Sequence, residues 1–253
     1  MEPILEVKDL TKKYAVRGKG DFSAVDHISF RLNQGETLGI VGESGSGKST
    51  LAKLVCRLIN PSEGSICLCG QDITKAKGKE LRDAYQNIQM VFQDPVSSFD
   101  PRRTLGDSIG ESLQNRRLAN AQVKARVREL LEQCGLEAEL GLRYPHQVSG
   151  GQCQRAAIAR ALAIQPKILI CDEATSALDV TVQQQIMELL WKLRDSYGLS
   201  YLFICHNLAL VQSFCHRILV MNEGKIVEEG ITDEVILHPK TEYTRMLVDS
   251  ILL

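Results

Sequence analysis

The chain has 253 residues, enough for one large α/β domain or a core carrying a subdomain, and its 30 Lys plus Arg against 31 Asp plus Glu leave a net charge of −1. So balanced a charge gives no electrostatic footprint for general nucleic-acid binding. No apolar run approaches the roughly 18 residues that a membrane-spanning helix needs, and Met1-Glu2-Pro3 opens no charged-then-apolar leader. The expectation is a soluble, cytoplasmic protein that can sit on a membrane partner. The eight cysteines are scattered through apolar stretches, with only Cys67 and Cys69 close-set. Without a C-x-x-C pair or a histidine at ligand spacing they are expected to be reduced packing residues and not zinc ligands.

In chain order, residues 4–7, 28–32 and 64–68 alternate like half-exposed strands and predict a small antiparallel sheet. Residues 36–41 form a near-continuous apolar strand that enters Gly42-Glu43-Ser44-Gly45-Ser46-Gly47-Lys48-Ser49, a complete G-x-x-x-x-G-K-[ST] loop. Residues 49–59 follow with apolar side chains at helical spacing until Asn60-Pro61. The chemistry needs these residues at this spacing. Glycines let consecutive N–H groups turn inward on phosphate oxygens, and the following helix aims its positive end at the same charge. Lys48 would reach the β- and γ-phosphates and the Ser49 hydroxyl would ligate Mg²⁺, so Gly42, Ser44, Gly45, Ser46, Gly47, Lys48, Ser49 and Thr50 form the candidate nucleotide-phosphate set.

Residues 104–163 change character. Val123, Val127, Leu130, Leu131 and Cys134 share one helical face closed by Gly135, which predicts a helical insert. After Pro166 the α/β pattern resumes with an apolar strand at 167–171. A helix striped by Val182, Ile186, Leu189, Leu190 and Leu193 then ends at Gly198, and a strand follows at 200–205. Segments 217–221 and 225–228 flank Asn222-Glu223-Gly224, a hairpin turn.

The strand at 167–171 delivers Asp172 and Glu173 at its C-terminal end, where ligands of parallel sheets bind. Asp172 is the candidate Mg²⁺ holder and Glu173 the candidate general base for an attacking water. Val148-Ser149-Gly150-Gly151-Gln152 opens a further helix and makes a second anion cradle about a hundred residues from the first. One chain has little use for two cradles. They fit a head-to-tail pair of subunits in which each closes on phosphate held by the other.

With these elements in this order, nearly the whole chain resembles the ATP-binding cassette (ABC) ATPases. The resemblance implies a P-loop NTPase fold of α/β class: a RecA-like core with an antiparallel β subdomain (1–95 and 164–230), a helical signature subdomain (96–163) and a C-terminal helical tail (231–253). It implies that Tyr14 stacks on adenine and that Gln93, in Val91-Phe92-Gln93-Asp94-Pro95, senses Mg²⁺ and the attacking water. By the same resemblance Ser149, Gly150, Gly151 and Gln152 form the signature loop, Ser176-Ala177-Leu178-Asp179 links two active sites, and His206 contacts the γ-phosphate. The implied cofactors are ATP and Mg²⁺. Val148, Cys171 and Asn207 depart from the usual residues without removing a catalytic group.

The segment from Asp94 to Leu105 and the tail His238-Pro239-Lys240-Thr241-Glu242-Tyr243-Thr244-Arg245-Met246-Leu247 resemble peptide and nickel importer ATPases. The given sequence ends at Leu253 without the cysteine-rich extension of many peptide-importer ATPases. With segments of 202–221, this tips the expectation toward nickel or a metal chelate over peptide. The implied partners are a second ABC ATPase subunit, two integral-membrane permease subunits and, indirectly, an extracytoplasmic substrate-binding protein, with no nucleic acid. The implied location is peripheral, on the cytoplasmic face of the membrane. Residues 95–105, with apolar Val96 and Phe99, are the expected docking surface for the permease. A soluble ABC protein acting on nucleic acid or ribosomes, and a P-loop kinase or GTPase, are the competing classes. The first lacks paired cassettes and a basic stripe here; the second leaves residues 148–152 and His206 unexplained and lacks an N-K-x-D motif.

Overall fold

The computed structural model describes residues 3–16, 20–176 and 178–250. In chain order the elements are β1 (Leu5–Val16), β2 (Gly20–Leu32), β3 (Thr37–Val41), α1 (Lys48–Val55), β4 (Glu63–Leu68), β5 (Gln71–Asp72), α2 (Gly78–Tyr85) and β6 (Ile88–Val91). There follow α3 (Leu105–Asn115), α4 (Asn120–Gln133), α5 (Gly150–Leu162), β7 (Ile168–Asp172), α6 (Val180–Tyr197) and β8 (Ser200–Ile204). The chain continues through α7 (Leu208–Phe214), β9 (Arg217–Asn222), β10 (Lys225–Ile231), α8 (Thr232–Leu237) and α9 (Glu242–Asp249).

Two sheets carry the fold. One is antiparallel in the order β2-β1-β4-β5; the other runs β10-β9-β3-β8-β7-β6, parallel except for its β10 edge. Both faces of the parallel sheet are covered, which is why its strands are continuous apolar runs. Successive side chains point to opposite faces. Leu38, Ile40, Ile168, Ile170, Leu202, Ile204, Leu219 and Met221 therefore join one core with Leu51, Leu54 and Val55 of α1 and the antiparallel sheet. Leu169, Cys171, Tyr201, Phe203, Ile218 and Val220 join the other, under the helices.

The antiparallel strands are longer than alternation predicts. β1 continues to Val16 because register shifts after Val7, Leu10 and Lys12 accommodate extra residues, with Asp9 at φ 46°. The helix after the phosphate loop ends at Val55 and does not run to residue 59. Arg57 is left-handed (φ 55°) and spends its guanidinium on the Ile73 carbonyl (2.8 Å) and the Asn60 side chain (2.8 Å). The β9–β10 turn has Glu223 and Gly224 both at positive φ (48° and 79°), the backbone of a type I′ hairpin. Six of the eight cysteines are buried and all eight are free thiols; burial pushes Cys56 and Cys134 up to about 12. No helix among the described residues is long and apolar enough to cross a membrane.

Candidate nucleotide site

β3 ends directly on the phosphate loop, and α1 leaves from it. Gly42 (φ 148°) and Gly47 (φ 104°) need the backbone freedom of glycine, and each also lacks room for a side chain. A Cβ at Gly42 would strike the Met221 carbonyl oxygen, and one at Gly47 the Ala24 carbonyl oxygen. Gly47 is the N-cap of α1 and offers no side-chain acceptor, so the first amides of this helix are left for an anion. Lys48 is buried, and its ammonium donates to the carbonyls of Gly42 (2.8 Å) and Glu43 (2.7 Å). Burial lowers its pKa, opposed by the charges of Glu173 and Asp172.

β7 brings the two carboxylates to the same place. The Ser49 hydroxyl donates to Asp172 Oδ1 at 2.9 Å, across 123 residues of sequence. Burial raises the Asp172 carboxyl, the Ser49 bond pulls it down, and the neighbouring Glu173 charge adds to the rise. Glu173 stands at φ 48°, a conformation that costs a non-glycine residue strain, and its amide is held by the Ile204 carbonyl (3.0 Å). Its Oε2 accepts from Gln93 Nε2 (2.9 Å) and lies 3.8 Å from His206 Nδ1. Gln93 follows β6, Glu173 follows β7 and His206 follows β8, so three neighbouring parallel strands deliver the three groups. Ser49, Gln93, Asp94 and Asp172 line a cavity of about 380 Å³. A larger cavity of about 580 Å³ lies among α3, α4 and residues 138–142 and contains none of these groups.

The remaining predicted residues lie apart from this cluster or on its rim. Ser44 and Gly45 are exposed on the loop, Ser46 is buried, and Thr50 lies in the first turn of α1. Tyr14 is exposed on β1, with the Lys12 ammonium 5.1 Å from its ring centre, and pairs across the sheet with the exposed Phe22. Ser149 caps α5: its hydroxyl accepts from the Gln152 amide (3.2 Å) while the Gln152 side chain accepts from the Ser149 amide (2.9 Å), a capping box. Gly150 has Leu178 beside it, and a Cβ on Gly151 would press on Val182 of α6. Asp179 caps α6 through the Val182 amide (3.0 Å). Ala177, between Ser176 and Leu178, lies outside the described residues.

One expectation is corrected. Phe99 is not a surface group of the 95–105 segment: it is 4% exposed and lies under the Arg160 guanidinium, 4.3 Å from its ring centre. Arg160 also donates to the Ser98 carbonyl (2.6 Å) and hydroxyl (3.0 Å), tying this loop to α5. An arginine on a predicted helix gives no signal of that contact from 62 residues away. Val96 does remain exposed. Ser176, expected only as part of the linking loop, also joins the cluster: its hydroxyl donates to the Glu173 carbonyl (3.0 Å) and accepts a longer bond from Gln93 (3.4 Å).

A family profile described as ABC transporter matches residues 25–176. The chain is 47% identical over 255 residues to the oligopeptide transport ATP-binding protein OppD of Mycobacterium tuberculosis, covering 98% of this chain and 42% of that protein. It is 43% identical over 258 residues to the oligopeptide transport ATP-binding protein OppF of Escherichia coli, covering 98% of this chain and 77% of that protein. It thus spans less than half the length of the first relative and about three quarters of the second. Among solved structures, the dimeric post-hydrolysis state of the ATP-binding cassette MJ0796 bound to ADP and Pi superimposes with a TM-score of 0.82 at 30% identity, covering 90% of this chain and 98% of that one. The chain belongs to the ABC transporter family and has its cassette fold, with an antiparallel sheet and a helical layer around the parallel core.

Proposed function

We propose that the chain binds and hydrolyses ATP to energise an importer, and that the solute is an oligopeptide. The observation that carries the first part is the convergence of Lys48, Ser49, Asp172, Gln93 and Glu173 at one end of the parallel sheet. The residues present fit the implied groups. The start of α1 carries no side-chain cap, so its first amides suit a phosphate, and the Ser49 hydroxyl and Asp172 carboxylate form the hard-oxygen set that suits Mg²⁺. When bound, Mg²⁺ would neutralise charge on the phosphate oxygens.

The chain's own part is positioning and electrostatics. Lys48 places a cation beside the loop, held by the Gly42 and Glu43 carbonyls. Glu173 accepts the proton of a water that Gln93 helps to hold, and His206 stands beside the same carboxylate to meet the terminal phosphate. Tyr14 offers its exposed ring to adenine. Ser149, Gly150, Gly151 and Gln152 sit at a capped helix start on another part of the chain. We assign them to phosphate held by a second ABC subunit, a reading supported by the dimer named for MJ0796. Two permease subunits, reached through the 95–105 loop, and an extracytoplasmic binding protein complete the proposed assembly, which places the chain on the cytoplasmic membrane face.

The relatives reported above are named for oligopeptides, which supports peptide over the nickel or metal chelate that the tail pattern suggested. The test is ATP hydrolysis by the complex reconstituted with its permease and binding protein. Stimulation by di- or oligopeptides is the expected result; stimulation by nickel or a nickel chelate alone would reverse the solute assignment and leave the ATPase assignment standing.

A further inference from the structure

We infer that Tyr243, on the C-terminal helix α9, is a positioning residue for nucleotide binding, because its hydroxyl holds the Gly42–Glu43 peptide of the phosphate loop. The inference rests on the ATP-binding reading above and extends it to a tail that the reaction had not involved.

The geometry concerns one peptide plane. Its N–H, that of Glu43, donates to Tyr243 Oη at 3.0 Å, and its carbonyl, that of Gly42, accepts from Lys48 Nζ at 2.8 Å. The plane is gripped at both ends, by residues 200 and 6 positions away from the atoms they hold. Such holding is needed here because the plane joins on to Gly42, the residue with the fewest conformational limits of its own. Rotation of the plane would break both bonds and release the carbonyl that orients the Lys48 ammonium. The other side of the loop is tied to the C-terminal half as well: the Gly224 amide of the β9–β10 turn donates to the Ser46 carbonyl at 3.0 Å.

The position of the Tyr243 hydroxyl is itself determined. Glu228 of β10 is 7% exposed, and its carboxylate accepts from the Lys240 amide (2.9 Å) and the Thr241 amide (3.1 Å), clamping the chain just before α9. Burial alone would raise this carboxyl. The hydrogen bonds from Thr244, Lys240 and Thr241 outweigh it and leave the group below the ordinary carboxylate range, so the clamp stays ionised. Thr241 caps α9 by accepting from the Thr244 amide (3.1 Å), and the Tyr243 ring packs with Leu247 and Val248 against the helical core. A tyrosine needed only for packing would not require its oxygen at the loop.

The experiment compares wild type, Tyr243→Phe and Glu228→Gln as full chains, by equilibrium binding of ATP and ADP and by thermal melting. Tyr243→Phe keeps the ring and removes one acceptor. Its Kd for both nucleotides is expected to rise about three- to tenfold, the worth of one hydrogen bond. Its melting temperature should stay within about 2 °C of wild type, since the lost bond lies at a surface loop. In the assembled complex the KM for ATP should rise in step while kcat holds. Glu228→Gln should weaken binding in the same direction by loosening the clamp. A Tyr243→Phe chain whose Kd stays within about 1.5-fold of wild type, an effect too small for a lost hydrogen bond, overturns the inference. So does a binding loss matched by a fall in melting temperature, which would make the role one of packing. Wild-type chain that binds neither nucleotide would instead sink the ATP reading itself.

Discussion

Replacing Glu173 by Gln separates chemistry from binding in this site. The amide is isosteric with the carboxylate and keeps an oxygen to accept the 2.9 Å bond from Gln93, so the arrangement of β6, β7 and β8 at the site is preserved. What is lost is basicity. A positioned general base contributes about 10²- to 10⁴-fold, so kcat should fall by that factor, equivalent to about 3–5 kcal/mol of barrier. Nucleotide affinity should not fall with it. The side-chain hydrogen bond of Glu173 goes to Gln93 and its amide bonds to Ile204, and its neutralisation takes one negative charge from beside Asp172 and from the neighbourhood of Lys48. The Kd for MgATP should therefore stay within about threefold of wild type or tighten, given the screening of a partly exposed group. Phosphate release under saturating ATP gives the rate, and equilibrium binding gives the affinity. A kcat within about fivefold of wild type would remove Glu173 from the role of base, since a positioned general base typically contributes about 10²-fold or more.

Asp172→Asn should abolish Mg²⁺-dependent hydrolysis yet raise the melting temperature at neutral pH. Burial lifts the Asp172 pKa above its ordinary value of 3.8, so the ionised folded state carries a cost that appears as pH rises through the folded pKa and is absent below the unfolded one. The advantage of the Asn variant should accordingly vanish when melting is repeated below about pH 4; a variant no more stable than wild type at pH 7 would contradict this. Gly47→Ala combines a φ of 104° with a clash on the Ala24 carbonyl. It should lower the melting temperature by about 3–10 °C, from about 1–3 kcal/mol of strain, and lose ATP binding; unchanged melting would refute the tight fit. Val96→Glu should leave ATP binding by the isolated chain within about twofold, as expected of a surface change, and lower the transport-coupled rate of the complex. Phe99→Ala is expected to destabilise the chain by about 3–5 kcal/mol, because it empties a buried ring site beneath the Arg160 guanidinium, and urea unfolding will tell the two positions apart.

What the sequence discloses depends on how far apart the cooperating atoms lie along the chain. The phosphate loop is legible because its glycines, lysine and serine must be contiguous to make a cradle, and the continuous apolar runs at 167–171 and 200–205 are legible because strands covered on both faces leave no polar alternation. β6 is not: Ile88–Val91 is four residues long, and Gln89 interrupts its apolar run. Nor is the left-handed turn at Arg57, whose guanidinium finds the Ile73 carbonyl only after the chain returns. Phe99 looks like a docking group until Arg160 arrives from α5 to cover it, and the tail pattern around Tyr243 stays without a purpose until β10 and α9 carry it back to Glu43. Glu173 lies between these cases. A carboxylate pair at the end of an apolar strand announces it, but its aim does not follow from the strand: β7 ends at Asp172, and the Glu173 amide bonds back to Ile204 of β8. That bond holds the residue at positive φ while its side chain meets Gln93 and His206 from the two flanking strands.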